Sequence, residues 1–220
     1  MAVPAATLVY QPETLTSYEA GYKASFWGRR ASLDLAAFRY NYNNLQLSGV
    51  AIVQGAPRYV TRNAGVASVK GIEAEGQLQA SADDRFSYAL TWLDAHYVAY
   101  LPDGVHSWSG KALDRAPRST ITLGYEHRFA LAAGALRAGL NSRSSAAYTI
   151  GVPSQLLQYR IPARTVSDAT LSYQPARARW NVLARVKNIE NKVQPLTIDS
   201  FGMVVPSDPR TVDLRLDYRF

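Results

Sequence analysis

The chain has 220 residues, of which 47% are hydrophobic and 19% charged, so it is not intrinsically disordered and is long enough for one large all-β domain. It contains no cysteine, which removes a disulfide framework, a thiolate metal site and a cysteine nucleophile. Its net charge of +7 comes from Lys and Arg scattered among apolar residues, so there is no basic patch, and no nucleic-acid partner is expected.

No run of about 18 apolar residues is present, so no membrane-spanning helix is predicted. The opening Met1-Ala2-Val3-Pro4-Ala5-Ala6 lacks a charged n-region and a long apolar stretch, and the expectation is that a signal peptide is absent from this chain. Fourteen Tyr, four Trp and six Phe, set in alternating polarity, favour strands. In 16–26, Tyr18, Ala20, Tyr22 and Phe26 oppose Ser17, Glu19, Lys23 and Ser25. Segment 31–44 changes phase: Leu33, Leu35 and Ala37 hold one parity, Phe38, Tyr40 and Tyr42 the other. A bulge near Ala36-Ala37 or aromatics on the inner face would each account for this. In 70–80, Ile72, Ala74 and Leu78 oppose Glu73, Glu75, Gln77 and Gln79, and in 85–93 Phe86, Tyr88, Leu90 and Trp92 share a face. In 118–129, Ile121, Leu123, Tyr125 and Phe129 alternate with Thr120, Thr122, Glu126 and Arg128. In 178–188, Trp180, Val182, Ala184 and Val186 alternate with Arg179, Asn181, Arg185 and Lys187. The last segment is the cleanest: Val212, Leu214, Leu216, Tyr218 and Phe220 against Thr211, Asp213, Arg215, Asp217 and Arg219. Successive side chains of a strand point to opposite faces, so each of these segments has an apolar and a polar side.

Nine strands are predicted, at about 14–27, 30–45, 68–81, 85–98, 117–130, 134–146, 164–174, 178–188 and 209–220. Short turns and long loops (about 46–67, 99–116, 147–163 and 189–208) alternate without exception. In an antiparallel meander this puts every short turn on one rim and every long loop on the other, as in outer-membrane barrels. Most segments exceed the roughly 9–11 residues that a tilted strand needs to span a bilayer. Phe26, Trp27, Phe129, Trp180 and Phe220 stand near strand ends, as interfacial girdles do.

Four stretches carry a family likeness. Glu13-Thr14-Leu15-Thr16-Ser17-Tyr18-Glu19-Ala20-Gly21-Tyr22-Lys23 is followed by Leu33-Asp34-Leu35-Ala36-Ala37-Phe38-Arg39-Tyr40. Asn63-Ala64-Gly65 precedes Gly71-Ile72-Glu73-Ala74-Glu75, and Ala116-Pro117-Arg118 enters a strand. Val186-Lys187-Asn188-Ile189-Glu190-Asn191-Lys192 leaves one, and Pro209-Arg210-Thr211 opens the last. In this order, over about residues 13–220, they resemble the C-terminal part of the barrel of TonB-dependent outer-membrane receptors.

The resemblance implies an all-β fold: an antiparallel up-and-down transmembrane β-barrel, partial, with 9 of about 22 strands, and an open sheet unless completed. Residues 1–12 would be a loop remnant or an alternative start, and the plug domain and TonB-contacting box would be absent. It implies the outer membrane of a Gram-negative bacterium. The function implied is uptake of an iron–siderophore or similar scarce ligand, energised by TonB in the intact protein. The partners implied are membrane lipid, the missing strands and plug, TonB through the absent N-terminal region, and the barrel-assembly machinery, which would read the terminal Phe220. A passive porin-type channel and a soluble β-sandwich binding module are the rival readings.

No catalytic constellation, and so no enzyme, is expected. His96, His106 and His127 lack ligand spacing, and no cofactor is predicted. By strand parity the candidates for a lumen wall are Glu73, Glu75, Arg137, Arg143, Asp168, Arg185 and Arg215. The aromatics Tyr59, Tyr100, Trp108, Tyr148, Tyr159 and Phe201 fall in loops and are candidates for meeting a ligand from outside; solvated wall and loop packing is the alternative for both sets.

Overall fold

The computed structural model describes residues 10–53, 55–63, 65–177, 179–199 and 201–219. Its strands are β1 (Thr14–Phe26), β2 (Ala31–Asn43), β3 (Gln46–Val53), β4 (Ala56–Asn63), β5 (Val66–Gln79), β6 (Asp84–Ala99), β7 (Ser119–Leu131), β8 (Gly134–Ser145), β9 (Tyr148–Val152), β10 (Leu157–Ile161), β11 (Arg164–Pro175), β12 (Trp180–Lys187), β13 (Pro195–Ile198), β14 (Val204–Pro206) and β15 (Thr211–Tyr218). Nine of them form one antiparallel sheet in the order β1-β2-β5-β6-β7-β8-β11-β12-β15. These are the nine strands expected from periodicity, each paired with its neighbour in sequence. The sheet is open, with β1 and β15 at its edges among the described residues.

The remaining six strands are three hairpins, β3/β4, β9/β10 and β13/β14, each inside a long loop. Three of the four long loops thus carry β-structure of their own, while the short connections are tight. Trp27, Gly28 and Arg29 take left-handed backbone angles, and the Arg30 amide closes the turn onto the Trp27 carbonyl. At the next turn the Ser81 hydroxyl accepts from the Asp83 and Asp84 amides.

Register settles the phase change in β2. Its pairing with β1 and with β5 runs unbroken through Ala36 and Ala37, so of the two alternatives the bulge is absent. Phe38, Tyr40 and Tyr42 instead lie on the polar face, with Phe38 and Tyr40 stacked at 4.9 Å. Buried Gly71, opposite Phe38, makes room for the ring, since a Cβ there would stand 2.7 Å from it. A register shift in the main sheet occurs at Val66/Ala67.

Across the sheet one face reads Tyr22–Leu35–Ala74–Leu90–Ile121 and Tyr125–Leu140–Ala169–Val186–Val212. Among the described residues nothing covers it: Leu214 is 76% exposed, Tyr125 40% and Trp180 36%. In a β-sandwich these side chains would fill the space between two sheets, so the sandwich reading is overturned. Most of the small buried core lies in the loops and at the loop ends of the strands, where Trp108, Ile150, Val152 and Ile161 are almost wholly enclosed.

Candidate functional site

The other face carries the charge. Cross-strand partners in an antiparallel pair share a face, so register assigns each side chain. Glu73 pairs with Ala36, Glu75 with Asp34, Arg137 with Arg128, Arg143 with Thr122, Asp168 with Asn141, Arg185 with Asp213 and Arg215 with Leu183. All seven wall candidates occupy this one face, opposite the apolar one.

Periodicity could not say what they touch. Arg185 binds Asp213 through two nitrogens, at 3.0 and 3.2 Å. Glu126 stands between Arg137 (3.3 Å) and Arg85 (3.6 Å). Arg215 bonds Asp217 at 2.7 Å, and Lys23 pairs with Asp34 at 2.9 Å. Tyr40 donates to Glu19 at 2.6 Å. Asp168 is committed to structure, because it accepts the Asn188 amide at 2.9 Å where the chain leaves β12. Glu73, Glu75 and Arg143 make no ion pair among the described residues. The face is polarised: Glu19, Asp34, Glu73 and Glu75 outnumber Lys23 across β1, β2 and β5. Across β7 to β15, Arg128, Arg137, Arg143, Arg164, Arg185, Lys187 and Arg215 exceed the carboxylates. Lys23, Glu126 and Asp213 fall on the polar side by sequence but were not among the wall candidates, and Asp34 and Arg85 were missed altogether, although the same parity rule finds them.

The long-loop rim is a knit cap. Trp108, 1% exposed, packs edge-on to Tyr100 at 5.8 Å and against Tyr97 at 6.2 Å, with the Lys111 ammonium 5.0 Å above its ring. Gly151 of the next loop lies so close that a Cβ would stand 2.6 Å from Asp114 and 3.1 Å from Trp108. The Arg115 amide donates to the Thr149 carbonyl at 2.8 Å, and its guanidinium reaches Thr197 Oγ1 at 2.6 Å, joining three loops. Burial pushes the Asp114 carboxyl above the usual carboxylate range, and burial beside Asp114 pushes the Tyr100 phenol up to about 12.

Among the loop aromatics, Trp108 is therefore corrected. It is the core of the cap, inaccessible to a ligand, because Tyr97, Tyr100 and Lys111 enclose its ring and Gly151 of the next loop lies against it. Tyr59 (76% exposed) and Phe201 (70%) stand in the open, and Tyr100, Tyr148 and Tyr159 are half-buried, Tyr159 bonding Gln155 at 3.3 Å. Phe220 lies outside the described residues.

A second polar knot turns the chain after β12. The buried Asn188 side chain donates to the Lys192 and Asp208 carbonyls, and Glu190 accepts from the Ser167 amide and hydroxyl at 2.7 and 2.6 Å. Those hydrogen bonds, the hydroxyl's foremost, hold the Glu190 carboxyl below its ordinary range. His96, His106 and His127 each meet one aspartate, Asp94, Asp103 and Asp84. Among the described residues no three His, Cys, Asp or Glu side chains converge as a metal site would require.

Residues 2–189 match the family model described as TonB dependent receptor-like, beta-barrel. No curated protein matches the chain by sequence. Among solved structures it is similar to the ferric yersiniabactin uptake receptor FyuA of Yersinia pestis, with 18% identity and a TM-score of 0.74, covering 93% of this chain and 29% of that one. The ferric preacinetobactin receptor BauA of Acinetobacter baumannii gives 21% identity and a TM-score of 0.72, covering 93% of this chain and 29% of that one. The siderophore receptor PiuA of the same species gives 17% and 0.70, covering 92% and 28%. At these identities the likeness is one of fold, and the chain spans less than a third of each of these receptors.

Proposed function

Because the chain belongs to the TonB-dependent receptor-like β-barrel family, we propose that it forms part of the barrel wall and outer loops of an active-transport receptor. Its place is the outer membrane of a Gram-negative bacterium. The cargo in this reading is an iron–siderophore or similar scarce ligand, and in the intact protein uptake is energised by TonB. The observation that carries the reading is the two-sided sheet. One face is apolar and uncovered, as lipid contact requires, and the other is lined by the charges that a water-filled interior accommodates.

Within this proposal Glu73, Glu75, Arg137, Arg143, Arg185 and Arg215 face the lumen. Arg143, which makes no ion pair among the described residues, and the basic half of the face attract an anionic chelate. Tyr59 and Phe201 are the loop aromatics open to a ligand from outside.

The test is genetic and made in the source bacterium. Deleting the codons for 13–220 from the intact gene should abolish energised uptake of at least one radioiron-loaded siderophore. Disruption of TonB function should have the same effect. Unchanged uptake of a panel of ferric chelates would defeat the substrate assignment, and uptake that persists without TonB would favour a passive channel.

A further inference from the structure

The apolar face has one charged row. Tyr18, Arg39, Lys70 and Asp94 are successive register partners across β1, β2, β5 and β6, so they stand side by side on the membrane-facing side. Apart from these and Asp84, at a short turn, no Lys, Arg, Asp or Glu of the nine strands has this parity among the described residues. The next row towards the short turns is apolar: Ala20, Ala37, Ile72 and Trp92. Towards the loops the face turns polar with Asn41, Ser68 and His96. Arg39 and Lys70 are thus the innermost cations of the loop-side boundary.

They also line a hollow. Tyr18, Ala20, Ala37, Arg39, Lys70 and Trp92 border an open groove of about 370 Å³. The two alanines leave its floor low, Tyr18 and Trp92 stand exposed beside it, and both cations are exposed. Lys70 is 3.3 Å from Asp94. Arg39 bonds only the Asn41 amide oxygen, at 3.3 Å, and makes no ion pair among the described residues. Two cations against one carboxylate leave the row positive. An uncompensated Arg on a membrane face is costly unless it reaches an anion at the interface. At the opposite rim, Phe86 stacked on Tyr125 and Tyr173 beside Trp180 form the boundary without a strand cation of this parity.

We propose that this groove is a binding site for a phosphate-bearing lipid of the loop-side leaflet. Arg39 and Lys70 hold the phosphate, and an acyl chain lies over Ala20, Ala37 and Trp92. The assignment rests on the membrane placement above but on no part of the transport reading.

The test is native mass spectrometry of the intact receptor in a neutral maltoside detergent, titrated with phosphatidic acid and, separately, phosphatidylcholine. Phosphatidic acid should be retained preferentially, and Arg39→Ala should weaken its retention about five-fold, with a similar loss for Lys70→Ala. Arg29→Ala with Arg177→Ala, which removes two turn-rim charges, should leave retention unchanged. Equal retention of both lipids by the parent receptor, or equal losses in the turn-rim control, would overturn the site. Displacement of phosphatidic acid by equimolar inorganic phosphate would also overturn it, since the acyl contacts would then contribute nothing. Uptake of neither detergent nor lipid would instead sink the membrane placement, and the site with it.

Discussion

Single residues in the loop cap decide whether the outer rim is ordered. Trp108 is enclosed by its own loop, by Tyr97 of β6 and by Gly151 of the next loop, so Trp108→Ala should cost about 3–5 kcal/mol of local stability as an unfilled cavity. The expected signature is faster hydrogen exchange throughout 100–118 and 148–161, with exchange in β7 and β8 unchanged. Asp114 supplies a pH dependence of known sign. Its folded pKa lies above the unfolded value because burial disfavours the charged form. The folded cap therefore binds more protons, and its stability falls as pH rises from the unfolded pKa through the folded one. Asp114→Asn should flatten that decline, read as hydrogen exchange of the loop between pH 4 and pH 7 (roughly the window of a raised carboxylate). An unaltered pH profile would show that another group is responsible. Asn188 is a third such position. Its side chain is buried and bonds the Lys192 and Asp208 carbonyls, so Asn188→Ala should destabilise the turn after β12 by about 1–3 kcal/mol, measured by proteolysis in 189–208.

Individual strands have two unequal sides, and equivalent substitutions on them should have unequal effects. Leu123 faces outwards between Tyr88 and Ser142, and is 55% exposed. In the intact receptor in lipid vesicles, Leu123→Arg should cost about 2–4 kcal/mol if it lies near mid-bilayer. Thr122→Arg, one residue away and on the charged face beside Arg143, should cost much less. The comparison is made by urea titration of both variants. Similar costs would mean that the faces are wrongly assigned.

The whole sheet poses a problem that neither residues nor strands reveal. β1 and β15 are the first and ninth strands of an antiparallel order, so they run in the same direction and cannot close on each other as antiparallel neighbours. Two like-oriented copies would meet at parallel seams for the same reason. Closure into an even-numbered barrel needs an odd number of further strands from elsewhere. Left open, each edge of roughly ten residues exposes backbone groups at several kcal/mol each in hydrocarbon, on the order of tens of kcal/mol per edge. The isolated chain, exported with a signal peptide, should therefore fail to give a heat-modifiable, protease-resistant monomer or liposome conductance. The intact receptor should give the heat-modifiable form.

Much of this was legible in the amino-acid order. A period of two fixes which side chains share a face without any knowledge of neighbours, and Val212, Leu214 and Leu216 display it unaided. Alternation of short and long connections placed the turns and loops on opposite rims. What needed the tertiary structure was register. Alternation alone cannot distinguish a bulge at Ala36-Ala37 from aromatics facing inwards, and only unbroken pairing with β1 and β5 decides for the latter. Nor can it tell that Arg185 meets Asp213, that Arg39 and Lys70 share a row, or that Trp108 is a core residue. Those contacts join positions tens of residues apart, and they exist only once the strands have chosen their offsets and the loops have folded onto one another.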